Sequence, residues 1–249
     1  MKQLLFYFLC LFSIGVTANP AADYLKANEL YKAGKFAEAA KKYEAVLLSG
    51  NEAAEVYFNL GNAFFKQKNM PQAILNYERA ARLSPGDADI QFNIRIANAR
   101  IVDKIEVMPE IFYSRWASEL RNTFSADGWA KVSILFAVIA LLSSIIYLLT
   151  RNDVAQRTAF FVSVLSIIIL ISALAFGYSQ FNQLQEAKTA IIFTPTLNVK
   201  SSPSENGTNI FVVHEGTKVN LEDRVGTWVK IRLNDGNIGW VEEGSLVVI

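Results

Sequence analysis

The stretch "VYFNLGNAFFKQKNMPQAILNYERAARLSP", Val56–Pro85, places small residues at Gly61, Ala73 and Ala80 among aromatics at Tyr57, Phe64 and Tyr77, and closes on a proline. Displaced by 34 residues, the pattern recurs: Ala27 falls on Gly61, Leu30 on Phe64, Ala39 on Ala73 and Tyr43 on Tyr77. Going forward, "AEVYFNL" at 54–60 aligns with "ADIQFNI" at 88–94 on the same offset. The spacing predicts pairs of amphipathic helices in which Gly61 and Ala73 allow close approach, aromatics fill the space beside them, and Pro85 ends the second helix.

A fixed period of this length with small, aromatic and proline positions resembles the tetratricopeptide repeat (TPR). The unit at 54–87 carries the whole signature. The first unit, about 20–53, is clear in its second helix, and the third keeps only its first helix, with Arg95 in the place of the packing glycine. Such stacks need about three units to bury enough apolar surface. The expectation is therefore that the helix within 88–104 caps the stack and that the segment after it helps to cover the cap.

In a curved stack the first helix of each unit lines the concave face. There the chain puts Asn28, Asn59, Asn62 and Asn93, whose amides both donate and accept, as the backbone of an extended peptide requires. In TPR domains that clamp a C-terminal carboxylate, the resemblance would match Asn28 and Asn59 to the two clamp asparagines. Tyr24, Asp89 and Asn93 stand where the basic partners belong, so generic peptide or protein docking replaces carboxylate capture. The alternative is a groove of solvated asparagines without a ligand.

The chain is 52% hydrophobic and only 19% charged, with a formal net charge of +1. No basic stripe is available to grip nucleic acid. The apolar excess is concentrated at two places. "MKQLLFYFLCLFSIGVTANP" has Lys2, an apolar run from Leu4 to Val16 and a small-residue exit at Val16-Thr17-Ala18, which reads as a secretory signal cleaved after Ala18, or else as an uncleaved anchor. Cys10, the only cysteine, lies inside it without the small residues of a lipoprotein signal, so the mature chain has no disulfide, thiol nucleophile or thiolate metal site.

Residues 132–149 and 160–178 form two uncharged runs with 12 Leu, Ile, Val or Phe residues each. At the usual insertion scale each gains roughly 4–7 kcal/mol in a bilayer, which predicts two transmembrane helices rather than buried core helices. The connector "TRNDVAQRT" carries Arg151 and Arg157 and is expected to stay cytoplasmic. An exported N-terminus then brings the C-terminus out as well. Without an ionisable residue in either run, a proton path has no support. Ahead of the first run, Phe112, Trp116, Leu120 and Phe124 recur every fourth residue, after Pro109 and Glu110 as a helix start. They read as an amphipathic helix that lies at the interface or caps the repeats, with Trp129 as a belt residue.

From Ala190 the pattern changes to short alternating strands and Asn-Gly, Glu-Gly, Asp-Gly and Val-Gly turns. Leu197-Asn198-Val199-Lys200-Ser201, Pro203, Gly216, Lys218-Val219, Trp228 and Gly239-Trp240-Val241 resemble the bacterial SH3-like domain in order and spacing. That family often binds peptides or cell-wall material. Trp228 and Trp240 are candidates for a binding surface or, alternatively, partly core. His214, the only histidine, reads as a polar surface residue on a strand. One histidine without cysteine or an adjacent carboxylate pair gives neither a metal site nor a triad, so no catalytic residue, metal or cofactor is expected.

The fold expected is a multidomain membrane protein: signal peptide 1–18, α-helical TPR solenoid 20–104, amphipathic juxtamembrane segment 105–130, spans 131–150 and 158–178 around a loop at 151–157, linker 179–189, and an all-β SH3-like barrel 190–249. This order resembles the BatE-type proteins of the Bacteroidetes aerotolerance (Bat) cluster. The resemblance implies a non-enzymatic, two-pass inner-membrane scaffold with both modules periplasmic. Its partners would be von Willebrand factor A-domain Bat proteins and a MoxR-type ATPase system, in oxygen or oxidative-stress tolerance. The alternative is an envelope protein that binds peptidoglycan through its SH3-like domain.

Overall fold

The structure, a computed structural model, describes residues 20–105, 112–185 and 189–249. The signal peptide, Cys10, Pro109 and Glu110, and the side chain of Phe112, lie outside the described residues.

Five helices follow the 34-residue rhythm: α1 (Pro20–Lys32), α2 (Phe36–Leu48), α3 (Ala54–Lys66), α4 (Met70–Leu83) and α5 (Ala88–Asn98). Local chemistry sets their limits. The Asn69 side chain accepts from the Gln72 N–H and Pro71 occupies the first turn of α4, while Asp87 accepts from Asp89 and Ile90 at the start of α5. The small positions are where helices touch. A Cβ placed on Gly61 would stand 2.6 Å from Tyr77 Cδ1, so only glycine lets α3 and α4 close over that ring. Ala27, Ala39, Ala63, Ala73 and Ala80 are fully buried beside Tyr43 and Tyr77.

After α6 (Phe112–Arg121) come two long helices, α7 (Ala126–Leu149) and α8 (Asp153–Gln185). Ser125 caps α7 by accepting from the Gly128 N–H, and Asn152 caps α8 by accepting from Val154 and Ala155. They pack as an antiparallel pair along a seam of Ser133, Ala140 and Ser143 against Ala159, Ser163, Ser166 and Ala173. Ser144 and Ser163 share a hydrogen bond of 2.8 Å across it. Both helices are long and apolar enough to cross a membrane by length and composition, and only 17% and 22% of their most apolar windows are buried inside the protein. Helix formation outruns the apolar runs at both ends: α7 begins at Ala126 rather than 131, and the expected linker from 179 is helical as far as Gln185. Gln180 explains the extension, since its amide donates to the Arg121 carbonyl (3.0 Å), Asn122 Oδ1 (3.1 Å) and the Phe124 carbonyl (3.4 Å), which holds the end of α8 against the turn before α7.

The C-terminal part is a seven-stranded antiparallel sheet in the order β3-β2-β6-β5-β4-β1-β7, comprising β1 (Thr189–Ile192), β2 (Thr196–Lys200), β3 (Asn209–His214), β4 (Lys218–Val225), β5 (Trp228–Arg232), β6 (Ile238–Glu242) and β7 (Leu246–Val248). Alternation along β5 and β6 turns Val229, Ile231 and Val241 inward with Val199, Val213 and Val219. Bulges at Val199/Lys200 and Leu221/Asp223 bend β2 and β4.

The sheet does not stand apart from the helical stack. Ile191 and Ile249 join a single core with Ala73, Ile74, Tyr77, Ile90, Ile94 and Ala97, flanked by Ile101, Phe193 and Val247. In a complete third repeat, its second helix would cover this surface between α4 and α5. Here β1 and the C-terminal residues fill it. Among the described residues of the segment after 104 that was expected to cover the cap, α6 packs on α8. Sheet residues far along the chain seal the stack because they bring buried aliphatic side chains, whereas α6 has polar residues between its few apolar ones.

Candidate functional site

The groove asparagines divide into two equivalent pairs. Asn28 and Asn62, one repeat apart, accept hydrogen bonds at Oδ1 from Tyr43 (2.6 Å) and Tyr77 (2.8 Å), which are also one repeat apart. Burial pushes the Tyr43 phenol up to about 12, and burial likewise raises that of Tyr77. Both hydroxyls are therefore fixed donors, and they fix the orientation of the amides that receive them. Asn93 donates to the same Asn62 Oδ1 (2.9 Å), and Asn59 donates to the Tyr24 hydroxyl (3.1 Å). Tyr24 in turn donates to Glu55, and its phenol is raised by burial and then by that carboxylate.

The four predicted residues thus form a ladder that ties the first helices of the repeats to one another and to the buried tyrosines. The face they line is ordered, not a set of loose amides. Tyr24 and Glu55, absent from the sequence-based set, belong to it. The signal that points to the tyrosine caps is in the sequence: Asn-to-Tyr spacing of 15 residues occurs in both repeats.

On the sheet, Trp228 and Trp240 lie half-buried on the outward face of β5 and β6, on the opposite side from Val229 and Val241. Trp240 is paired with Lys200 of β2 and Lys230 of β5, and Lys200 Nζ stands 5.3 Å from the centre of the Trp228 ring. Two indoles and two lysines thus share one face, on which Lys230 also pairs with Glu222 at 3.5 Å and Lys200 donates to the Glu205 carbonyl.

The joint between sheet and stack holds the histidine. His214, expected as a surface residue, is engaged at the end of β3: its backbone N–H (2.6 Å) and Nδ1 (2.7 Å) meet the two oxygens of Asp103, and Thr217 donates to the same carboxylate (2.7 Å). The reason is tertiary, since Asp103 lies 111 residues away in the connection after α5. Burial tends to raise the Asp103 pKa, but donation from Thr217 and from the His214 backbone and ring prevails and holds it below the usual 3.8. Thr217 gives its proton to the carboxylate rather than to the imidazole. This order suits a latch and not a nucleophile–base relay.

Around the latch, Lys218 Nζ pairs with Glu78 at 2.6 Å, Arg79 donates to the Val248 carbonyl at 3.1 Å, and Arg82 donates to the Ile249 carbonyl. Gly216, at φ +87°, touches the stack directly, because a Cβ there would lie 2.6 Å from Ile101 Cγ2. A cavity of about 520 Å³ beside this joint is flanked by Tyr57, Arg79, Arg82 and Ile249, and both guanidinium groups already serve strand carbonyls.

Residues 24–88 match the family model of the tetratricopeptide repeat, and residues 195–247 match that of the bacterial SH3 domain. No curated protein matches the chain. A helical TPR region and an antiparallel SH3-like domain therefore flank two apolar helices, and both domain types point to protein-interaction or cell-wall-binding roles.

Proposed function

We propose that the chain is a non-enzymatic scaffold, held by α7 and α8 as two passes of a bacterial inner membrane, that docks partner proteins in the periplasm. One observation supports it most. The α7–α8 pair is a hairpin with its turn at 150–152, so the TPR stack before it and the SH3-like sheet after it stand at the same end. A single anchor then delivers both interaction domains to one compartment, on whichever side that end faces. The segment at 1–18, read as an export signal, places it outside.

The module order supports a BatE-type role, with von Willebrand factor A-domain Bat proteins and a MoxR-type ATPase system as partners in aerotolerance or oxidative-stress defence. Partner contact is assigned to the Asn28, Asn59, Asn62 and Asn93 ladder. Because Asn28 and Asn62 also cap buried tyrosines, Asn59→Ala with Asn93→Ala is the cleaner test. Co-purification in mild detergent is expected to recover membrane partners with the wild-type chain and to lose them with this pair replaced. Unchanged recovery refutes the groove assignment, and a C-terminal reporter active only in the cytoplasm refutes the topology.

The outward patch of Trp228, Trp240, Lys200 and Lys230 favours a second reading, in which the sheet grips peptidoglycan. Sedimentation of the full chain with purified sacculi tests it. Retention that disappears in Trp228→Ala/Trp240→Ala supports the cell-wall reading, and absence of retention removes it.

A further inference from the structure

Trp129, expected as an interfacial belt residue, is 7% exposed: its ring packs between Phe124 and Phe176, with centroids 5.1 Å from each, and its Nε1 donates to the Arg121 carbonyl at 2.8 Å. It is a structural bracket, not a belt. The exposed apolar side chains at that level are others. Trp116 is 72% exposed, Leu120 53% and Phe124 44%, a line along one side of α6 that ends in the turn before α7. Tyr178 and Phe181 are exposed on α8 beside Gln180, the residue that binds the same turn.

Among the described residues, neither the repeats nor the sheet covers this line, for α6 packs on α8. The bracket also leaves α6 little freedom. Trp129 Nε1 and Gln180 Nε2 both donate to the carbonyl of Arg121, the last residue of α6, and the Ser125 cap fixes the start of α7 three residues after Asn122. The exposed line therefore ends at the start of α7, where exposed Asp127 and Lys131 stand between Phe124 and the uncovered apolar surface that begins at Ile134 and Leu135. An apolar helix side held at the end of an apolar helix pair, at the level where charged residues begin, has the position and composition of an interfacial helix.

We propose that α6 is a second, in-plane membrane contact: Trp116, Leu120 and Phe124 rest in the headgroup–acyl boundary of the bilayer that α7 and α8 cross. The inference rests on the two-pass reading above and adds to it a lipid-binding side chain set outside the spans. Its consequence is orientation. A hairpin alone leaves the repeats free to tilt about it. A helix lying in the surface fixes the height and lean of the stack, because the α4–α5 turn abuts the turn after α6: a Cβ on Gly86 would stand 2.8 Å from the Asn122 carbonyl oxygen.

The test uses nitroxide labels on the full chain in a Cys10→Ser background, reconstituted in phosphatidylethanolamine–phosphatidylglycerol vesicles. Single cysteines are placed at Trp116, at Leu120, at Leu141 as the span reporter and at Gly244, where a Cβ meets nothing within 4 Å, as the water reporter. Collision rates with oxygen and with a water-soluble nickel chelate give depth. Leu141 is expected deep in hydrocarbon, Gly244 in water, and Trp116 and Leu120 roughly 5–10 Å below the phosphates. If Leu141 is deep but Trp116 behaves like Gly244, α6 is not a membrane contact and the spans stand. If Leu141 is itself in water, the two-pass reading fails and this inference with it. Labels at Trp116 and Leu120 that are immobile and shielded from both reagents show a protein cover instead, and overturn the lipid assignment.

Discussion

Replacing Ile191 by alanine tests whether the SH3-like sheet is part of the repeat stack or merely tethered to it. Ile191 is 0% exposed and shares a core with Ile74, Tyr77, Ile90, Ile94 and Ala97. The change removes three carbons, about 2.5 kcal/mol of transfer free energy, and leaves a cavity between β1 and α4, for a total of about 2–5 kcal/mol. The decisive readout is where this loss is felt. Hydrogen exchange in detergent micelles reports local opening free energies, and a loss of about 2 kcal/mol corresponds to roughly thirtyfold faster exchange. In Ile191→Ala the amides of α5, about a hundred residues earlier in the chain, are expected to speed up together with those of β1 and β7. Ile231→Ala, in the sheet's own core, is the comparison for a sheet destabilised away from the joint. If α4 and α5 exchange at wild-type rates while β1 alone loosens, the sheet does not cap the stack, and the shared core carries none of its stability.

Gly61→Ala is expected to destabilise the repeats by about 1–3 kcal/mol, read as a lowered thermal midpoint of the helical signal, because the new methyl would meet Tyr77 Cδ1 at 2.6 Å. Asp103 has a carboxyl pKa below 3.8 in the folded chain, so its contribution is complete above that value and is lost as pH falls through the lower folded pKa. Acid titration of docking, followed by proteolysis at the joint, should therefore show weakening below about pH 4, and Asp103→Asn should remove that step. In the Cys10→Ser background, Ser144→Cys/Ser163→Cys should form an intramolecular disulfide on mild oxidation, since the hydroxyls are 2.8 Å apart; mass spectrometry of a monomer that keeps both free thiols would show a different helix register.

What could be read from the sequence was periodic, and what could not was tertiary. The recurrence of Ala27/Gly61, Ala39/Ala73 and Tyr43/Tyr77 defines the helices and their contacts because each repeat solves the same packing problem. The outward placement of Trp228 and Trp240 follows from alternation along β5 and β6. The joint has no such signature. Ile191 and Ile249 look like any strand residues until α4 and α5 are placed beside them, and Asp103 gains its role only by meeting His214 and Thr217 over more than a hundred residues. The groove residues were half legible: their types and face were evident, and the 15-residue Asn-to-Tyr spacing was present in both repeats, but the packed helices are what give that spacing its meaning as a hydrogen bond. Trp129 misled for a similar reason, as position along the chain suggested lipid while the turn before it supplied a hydrogen-bond acceptor and the Phe124 ring, and α8 supplied the Phe176 ring.

The lid of the helical stack is synthesised long after the helices it covers. Helix α5 is made about ninety residues before β1 and about one hundred and fifty before Ile249, with both apolar helices still to be synthesised between them. Until those strands are made, Ile90, Ile94 and Ala97 lack the Ile191 and Ile249 side chains that share their core in the folded chain.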